Sequence, residues 1–410
     1  MIRLAASFLN SCIRAATTVT VPLALILVLS TSCKTLGPDY EEPAVEWLQD
    51  WQPDLYGQVG NTQKQTQTDL SFWWTLFNDP VLNRLIADAQ SNNPGIRLAG
   101  LRIIESRAAL GIANSTRYPQ VQQIDASAAV INSQQIGGPG SENNQTAAIY
   151  DAAFNLGWEL DFWGRFSRAI ESANAAFFAS VQNQRDFQML LNAQIADLYY
   201  AYLTTRGRIA IAQQNIALQR RSLDITQRLF DRGQDSELNL QQAKTQYLAT
   251  LSTIPALESS LIQIRNALAV VLGRPPAPIP ELEDQPDSLP QIEPLQVQAF
   301  PSELLLRRPD IRAAAWSVAA QSAQIGIAEA DYYPAISLFG SLGLSGSSLS
   351  SSTDTVSLAA GPNIRWNIFD YGRIENNVRL QDTRLQQAIE NFQNQVLLAA
   401  KEIDDAAITL

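Results

Sequence analysis

Two kinds of hydrophobic pattern alternate along the chain. Phe154, Leu156, Trp158, Leu160 and Phe162 recur at every second position between Asn155, Gly157, Glu159 and Asp161, which predicts a strand with one apolar and one polar face. A second such run, Leu358, Ala360, Pro362, Ile364, Trp366 and Ile368, stands against Ala359, Gly361, Asn363, Arg365 and Asn367. Two weaker runs, Ile124–Val130 and Ile336–Leu344, supply a partner for each. Helical stretches are predicted at Pro80–Arg117 and Arg308–Tyr332, each closed by a Tyr-Pro pair, because proline cannot continue a helix. A much longer helical pattern runs from Arg165 to Arg232, where Gly233 breaks it. At about 1.5 Å per residue it makes a rod of about 100 Å.

The long pattern carries two seams. Ile195, Tyr202, Ile209, Ile216, Leu223 and Phe230 repeat every seven residues, and Ile211, Leu218 and Ile225 form a second series about 200° around the helix. A two-stranded coiled coil needs one seam, so two seams predict neighbours on both sides, as in a ring of helices. The returning helix, with Leu240, Tyr247, Ile254, Leu261 and Leu268 in heptad positions, contains Pro255. That proline is expected to kink the helix or break one turn.

Self-similarity organises these elements. NNPGIR (Asn92–Arg97) matches RRPDIR (Arg307–Arg312), and GIANSTRYP (Gly111–Pro119) matches GIAEADYYP (Gly326–Pro334), both at an offset of 215 positions. Farther on, Trp158 matches Trp366 and Gly164-Arg165 matches Gly372-Arg373 at an offset of 208. The chain is read as a tandem duplication: residues 79–272 are the first copy, 273–304 a Pro-rich connection, and 305–410 the second copy. Leu410 is the equivalent of Tyr202, so no counterpart of Leu203–Leu272 follows, and a truncated second copy is expected.

Strands of about ten residues with aromatics near one end fit outer-membrane strands; a soluble two-layer sheet with one wet face is the alternative. Four strands are too few to close a barrel, and an open edge in lipid leaves unpaired backbone groups. If these strands span a membrane, several chains share one barrel. Gly-, Ser- and Asn-rich segments (GGPGSENNQ, SGSSLSSSTD) would join the strands outside the cell.

Composition narrows the chemistry. The 410 residues include no His and two Cys, with a net charge of −11. A Ser-His-Asp triad, a His proton shuttle and any His-containing metal site are excluded, and nucleic acid is an improbable partner for so acidic a surface. Residues 1–32 carry Arg3 and Arg14 and the apolar run Val19–Leu29. That run is too short to span a membrane but suits a secretory leader. Ser30, Thr31 and Ser32 precede Cys33, an arrangement that resembles a bacterial lipobox, so residues 33–78 form a lipid-anchored N-terminal segment in this reading. Glu159, Asp161 and Asp151 could serve an anchored hydrolase as acid and base, but Glu159 and Asp161 share a face with Asn155 and Gly157, as a lumen lining would. The chain is read as no enzyme and as carrying no cofactor.

CKTLGPDYEEP (Cys33–Pro43), FWWTLFNDPVLNRLIADAQSNNPGIRLA (Phe72–Ala99), LDFWGR (Leu160–Arg165) and LLRRPDIRAAAW (Leu305–Trp316) together resemble the outer membrane factor family, the TolC-like and NodT-like exit ducts of bacterial efflux and secretion. The resemblance implies an α+β membrane protein: a homotrimer whose four transmembrane strands per chain build a twelve-stranded barrel, continued by an α-helical barrel into the periplasm. It also implies a periplasmic adaptor and an inner-membrane pump as partners of a passive duct. RLFDRGQDSELNLQQA (Arg228–Ala243) resembles the family's hairpin tip. The likeness marks Gly233, Ser236 and Leu238, with Arg232 just before them, as adaptor contacts; helix capping by Gly233 and Ser236 is the local alternative. The family's gate lies on the second copy's hairpin, so no gate residue is assigned. A lipid-anchored periplasmic coiled-coil scaffold without a pore is the competing function, and it leaves the four alternating strands unemployed.

The leader makes one prediction on its own. Labelled palmitate is expected to be incorporated into the exported chain and lost in Cys33→Ala; equal labelling of both would remove the lipid anchor.

Overall fold

The computed structural model describes residues 35–51, 70–134, 144–283, 302–346 and 355–409. Residues 1–32 and Cys33 lie outside these residues, as do most of the Pro-rich connection and much of both strand-joining segments. Six α-helices and four strands are described, besides short 3-10 turns: α1 (Pro80–Asn92), α2 (Pro94–Ser115), β1 (Val121–Gln134), β2 (Asn144–Glu159), α3 (Arg165–Asp231), α4 (Glu237–Val271), α5 (Pro309–Glu329), β3 (Ala335–Gly346), β4 (Thr355–Arg365) and α6 (Arg373–Thr409). The order helix, strand, strand, long helix thus occurs twice. No described helix is long and apolar enough to cross a membrane.

Three expectations need correction. The stretch Pro80–Arg117 is two helices rather than one. Asn93, forced into the extended region ahead of Pro94, accepts hydrogen bonds from the Gly95 and Ile96 amides at 2.7 and 3.2 Å and so starts α2. The strands stop at Glu159 and Arg365, so Leu160, Phe162, Trp366 and Ile368 are not strand residues. Asp161 ends the alternation by accepting from the Phe166 and Ser167 amides at 2.9 and 2.8 Å, and Asp370 likewise accepts from the Ile374 amide at 2.7 Å. Finally, of the two outcomes expected at Pro255 the broken turn does not occur, since α4 continues through it. The ring removes one helical bond, while the hydroxyls of Thr250, Ser252 and Thr253 donate to carbonyls of the preceding turns.

The chain forms two compact units, each drawing on both copies. One comprises the residues to Gln49, Ile104–Ser180 and Ile311–Leu398. Its single antiparallel sheet has the order β1-β2-β3-β4, with Ile124 opposite Phe154, Trp158 opposite Leu338, and Leu338 opposite Pro362. Small residues on α5 allow close packing: Ser172 donates to the Ala320 carbonyl at 2.9 Å and accepts from Gln324 at 2.8 Å. Phe178 stacks on Trp316 at 4.9 Å. The segment after Thr35 is strapped to this unit. Leu36 donates its amide to the Trp163 carbonyl, and the buried Arg168 donates to the carbonyls of Leu36 and Gly37 and to the Asp39 carboxylate. Gly326 lies directly beneath the Leu36 carbonyl, where a Cβ has no room.

The other unit comprises Asp50–Ile103, Val181–Asp310 and Ala399–Leu410. Its core gathers Trp74, Leu82, Leu85 and Ile86 with Ile195, Tyr199, Leu203, Leu268, Leu272 and Leu282. Asp79 joins the polar and apolar parts of this core. Its Oδ1 caps α1 by accepting from the Val81 and Leu82 amides, and its Oδ2 accepts from the Tyr199 hydroxyl at 2.8 Å. Burial first, and then the bond to Asp79, raise the Tyr199 pKa above its ordinary value of 10.

A phenol whose pKa is raised on folding contributes stability that is complete below pH 10 and is lost as pH rises toward the folded value. Tyr199→Phe is therefore expected to cost about 1 kcal/mol at neutral pH and to flatten the loss of stability at alkaline pH. Denaturant titration at pH 7 and above pH 10 checks both; a variant as stable and as alkali-sensitive as the parent contradicts the assignment.

Candidate functional site

The sheet presents two chemically distinct faces. Even-numbered residues form the apolar one, with Ile124, Val130, Phe154, Leu156, Trp158, Leu338, Leu342, Leu344, Leu358 and Ile364. Odd-numbered residues form the other. There Asp125 accepts from Gln123 at 2.9 Å and from Asn155 across the strand pair at 2.8 Å, while Ser127 reaches Asp151 at 3.5 Å. Phe339 is the largest apolar residue on this face, which also carries Val121, Ile131 and Ile149. It stands opposite Gly157 on one side and Gly361 on the other, with its ring lying over Gly361.

On the inner strand β2 exposure runs opposite to that of a soluble sheet, whereas β1 and, apart from Gly361, β4 are exposed on both faces. Along β2 the polar-face residues Ala153, Asn155, Gly157 and Glu159 are half-buried, whereas Phe154, Leu156 and Trp158 between them are exposed. Phe154 is 44% and Leu344 53% exposed. Contiguous exposed apolar surface on this scale marks contact with lipid or protein.

The carboxylates considered for hydrolysis have structural duties. Asp161 caps α3, and Glu159 lies 3.9 Å from the Arg165 guanidinium, which also meets Asp331 at 3.5 Å.

The turn between α3 and α4 is a compact double cap. Gly233 adopts φ +73°, donates to the Phe230 carbonyl at 2.8 Å, and is followed by Gln234 donating to the Leu229 carbonyl at 2.9 Å. This is the Schellman closure that favours glycine. Ser236 accepts from the Asn239 amide at 3.2 Å and begins α4. Asp235, which sequence reasoning passed over, accepts from the Ser236 amide at 2.8 Å and the Asn239 side chain at 2.6 Å. Its place next to a capping serine is the signal that could have found it. The local capping roles of Gly233 and Ser236 are therefore both present. Arg232 is exposed, Leu238 is 66% exposed, and a Cβ built on Gly233 meets nothing within 4 Å. The four residues marked in the sequence lie together on one solvent-facing tip.

Cys33 is outside the described residues, but Thr35 packs on Gly164. The chain two residues beyond Cys33 is thus fixed beside Gly164, in the turn that links the end of β2 to α3.

Comparison with known proteins agrees with this geometry. The probable outer membrane lipoprotein SilC of Salmonella typhimurium is 29% identical over 392 residues, covering 93% of this chain and 81% of SilC. The cation efflux system protein CusC of Escherichia coli K12 is 29% identical over 391 residues, covering 94% and 82%. The solved structure of the outer-membrane channel OprN is similar with a TM-score of 0.78 at 31% identity, over 92% of this chain and 82% of that one. Residues 85–274 and 300–410 match the model of the outer membrane efflux proteins. A sheet with an exposed apolar face, long helices and this match have one common reading: the chain belongs to the outer membrane efflux protein family.

Proposed function

We propose that three copies of the chain pool their four strands in a twelve-stranded barrel in the outer membrane, continued into the periplasm by a barrel of the long helices. The assembly is a passive exit duct. A periplasmic adaptor docks at the hairpin tip, and an inner-membrane pump supplies the energy. The observation that carries this reading is the division of the sheet into an exposed apolar face and a hydrogen-bonded polar face, the polar side chains being the more covered ones along β2. A pore-less scaffold gives that face no solvent. The second seam of α3 adds support: Ile211, Leu218 and Ile225 are exposed in the single chain, as neighbours from other copies require.

Cys33 is the attachment point of the lipid in this reading, and the Arg168 strap holds the following residues against the sheet-bearing unit. Arg232, Gly233, Ser236 and Leu238 are the adaptor contacts, Leu238 supplying the apolar anchor. SilC is called an outer membrane lipoprotein and CusC a cation efflux protein; an acidic chain whose polar sheet face carries Asp125, Asp151 and Glu159 fits cation-preferring conduction.

In planar bilayers the protein is expected to conduct, with cations favoured over anions. Leu238→Glu is expected to leave that conductance intact while weakening adaptor co-purification at least about tenfold, the equivalent of about 1.4 kcal/mol. Absence of conductance would return the scaffold reading. Anion preference would remove the role of the acidic face, and undiminished adaptor binding by Leu238→Glu would remove the tip.

A further inference from the structure

The two copies meet along a seam inside the chain, and the same parts recur with nothing to meet. At the inner seam, Trp158 of β2 stands opposite Leu338 of β3, and the Leu160 amide donates to the Ile336 carbonyl at 2.9 Å. Just beyond the strands Trp163 stacks on Tyr333 at 4.6 Å and donates its indole N–H to the Pro334 carbonyl at 2.9 Å. Leu160, Phe162 and Trp163 are all half-buried as a result.

The offsets of the duplication carry each part to a bare counterpart. Position 163 maps to Tyr371 and position 333 to Tyr118. Tyr371 is fully exposed and Tyr118 is 69% exposed. Ile368 and Phe369, in the same connector, are also exposed. Tyr371 is held at φ +54°, a left-handed backbone that costs a residue with a Cβ roughly 1–2 kcal/mol, and the chain offers its ring no packing in return. α5, at the inner seam, has nine buried residues, whereas its first-copy equivalent α2 has none. β1 and β4 are the two edges of the sheet.

The strands fix the alignment of the missing seam. Ile124 faces Phe154 as Leu338 faces Pro362, so Ile124 is the structural equivalent of Leu338, and Ala126 that of Gly340. The inner pairs Trp158–Leu338 and Leu156–Gly340 then translate into Trp366 opposite Ile124 and Ile364 opposite Ala126. All four are even-numbered, so the apolar face continues across the junction without a flip.

Resting on the shared-barrel reading, we propose that the seam between copies repeats the seam within the chain. Tyr371 stacks on Tyr118 of an adjacent copy, and β4 pairs with that copy's β1 in the register that sets Ile364 against Ala126. The partner is a second copy of this chain. The connector ring acts as a peg just outside the strands, so the register is set by a side-chain contact as well as by the edge hydrogen bonds.

Cysteine pairs introduced into the full chain and oxidised in isolated outer membranes test this. Tyr371→Cys with Tyr118→Cys, and separately Ile364→Cys with Ala126→Cys, are expected to give covalent species of two and three chains, while each single variant gives none. Tyr371→Trp, which restores the residue of the inner seam, is expected to keep the temperature at which the multimer separates in detergent. Tyr371→Asn, which tolerates the left-handed backbone but lacks the ring, is expected to lower it. A multimer that links through Ile364→Cys with Ala128→Cys instead, or through neither pair, or that separates at an unchanged temperature in Tyr371→Asn, overturns the proposed seam and leaves the shared barrel standing. A parent chain that runs only as a single copy overturns both.

Discussion

A bilayer supplies no hydrogen bonds to a polypeptide, so each backbone group in it must be paired within protein. The sheet of this chain has β1 and β4 as edges, and one face of its strands is apolar and exposed. The even-odd division of side chains, the two-sided apolar seams of α3 and the bare surface of α2 are different expressions of the same demand for neighbours. In the proposed shared barrel, other copies of the chain would meet it without any change in the fold of each.

The first copy shows how the demand is met when a neighbour exists. Its connector after β2 is covered by the second copy, Trp163 on Tyr333, and its long helix packs small residue against small residue along α5. The second copy's connector has the same kind of sequence but stands in the open. The difference lies in what lies alongside, because Trp366-Asn-Ile-Phe-Asp-Tyr-Gly-Arg is no more polar than Trp158-Glu-Leu-Asp-Phe-Trp-Gly-Arg. Duplication gives the chain two strand pairs of the same kind, and the seam between them is used internally.

Periodic features were legible in the sequence because their cause is local. The two-residue alternation placed the apolar face of all four strands, and Gly233 marked the end of α3 within two residues of Asp231. The caps at Gly233 and Ser236 were legible for the same reason. The misses share a different cause. Asn93 divides the first helical stretch through its side chain, which also donates to the Val271 carbonyl 178 positions away. The strand ends at Glu159 and Arg365 depend on Asp161 and Asp370 reaching forward to helix amides. Arg168 sits in an unremarkable helical stretch, and its partners Leu36, Gly37 and Asp39 are about 130 positions earlier. No periodicity reports contacts that the fold alone brings together.

The pairing of the edge strands is the central point, and amide hydrogen exchange of the membrane-inserted protein measures it most directly. If β1 and β4 are joined to other copies, their amides exchange as slowly as those of β2 and β3. Rapid exchange at alternate amides of β1 and β4, with β2 and β3 protected, would show edges left open and would contradict a barrel shared between chains.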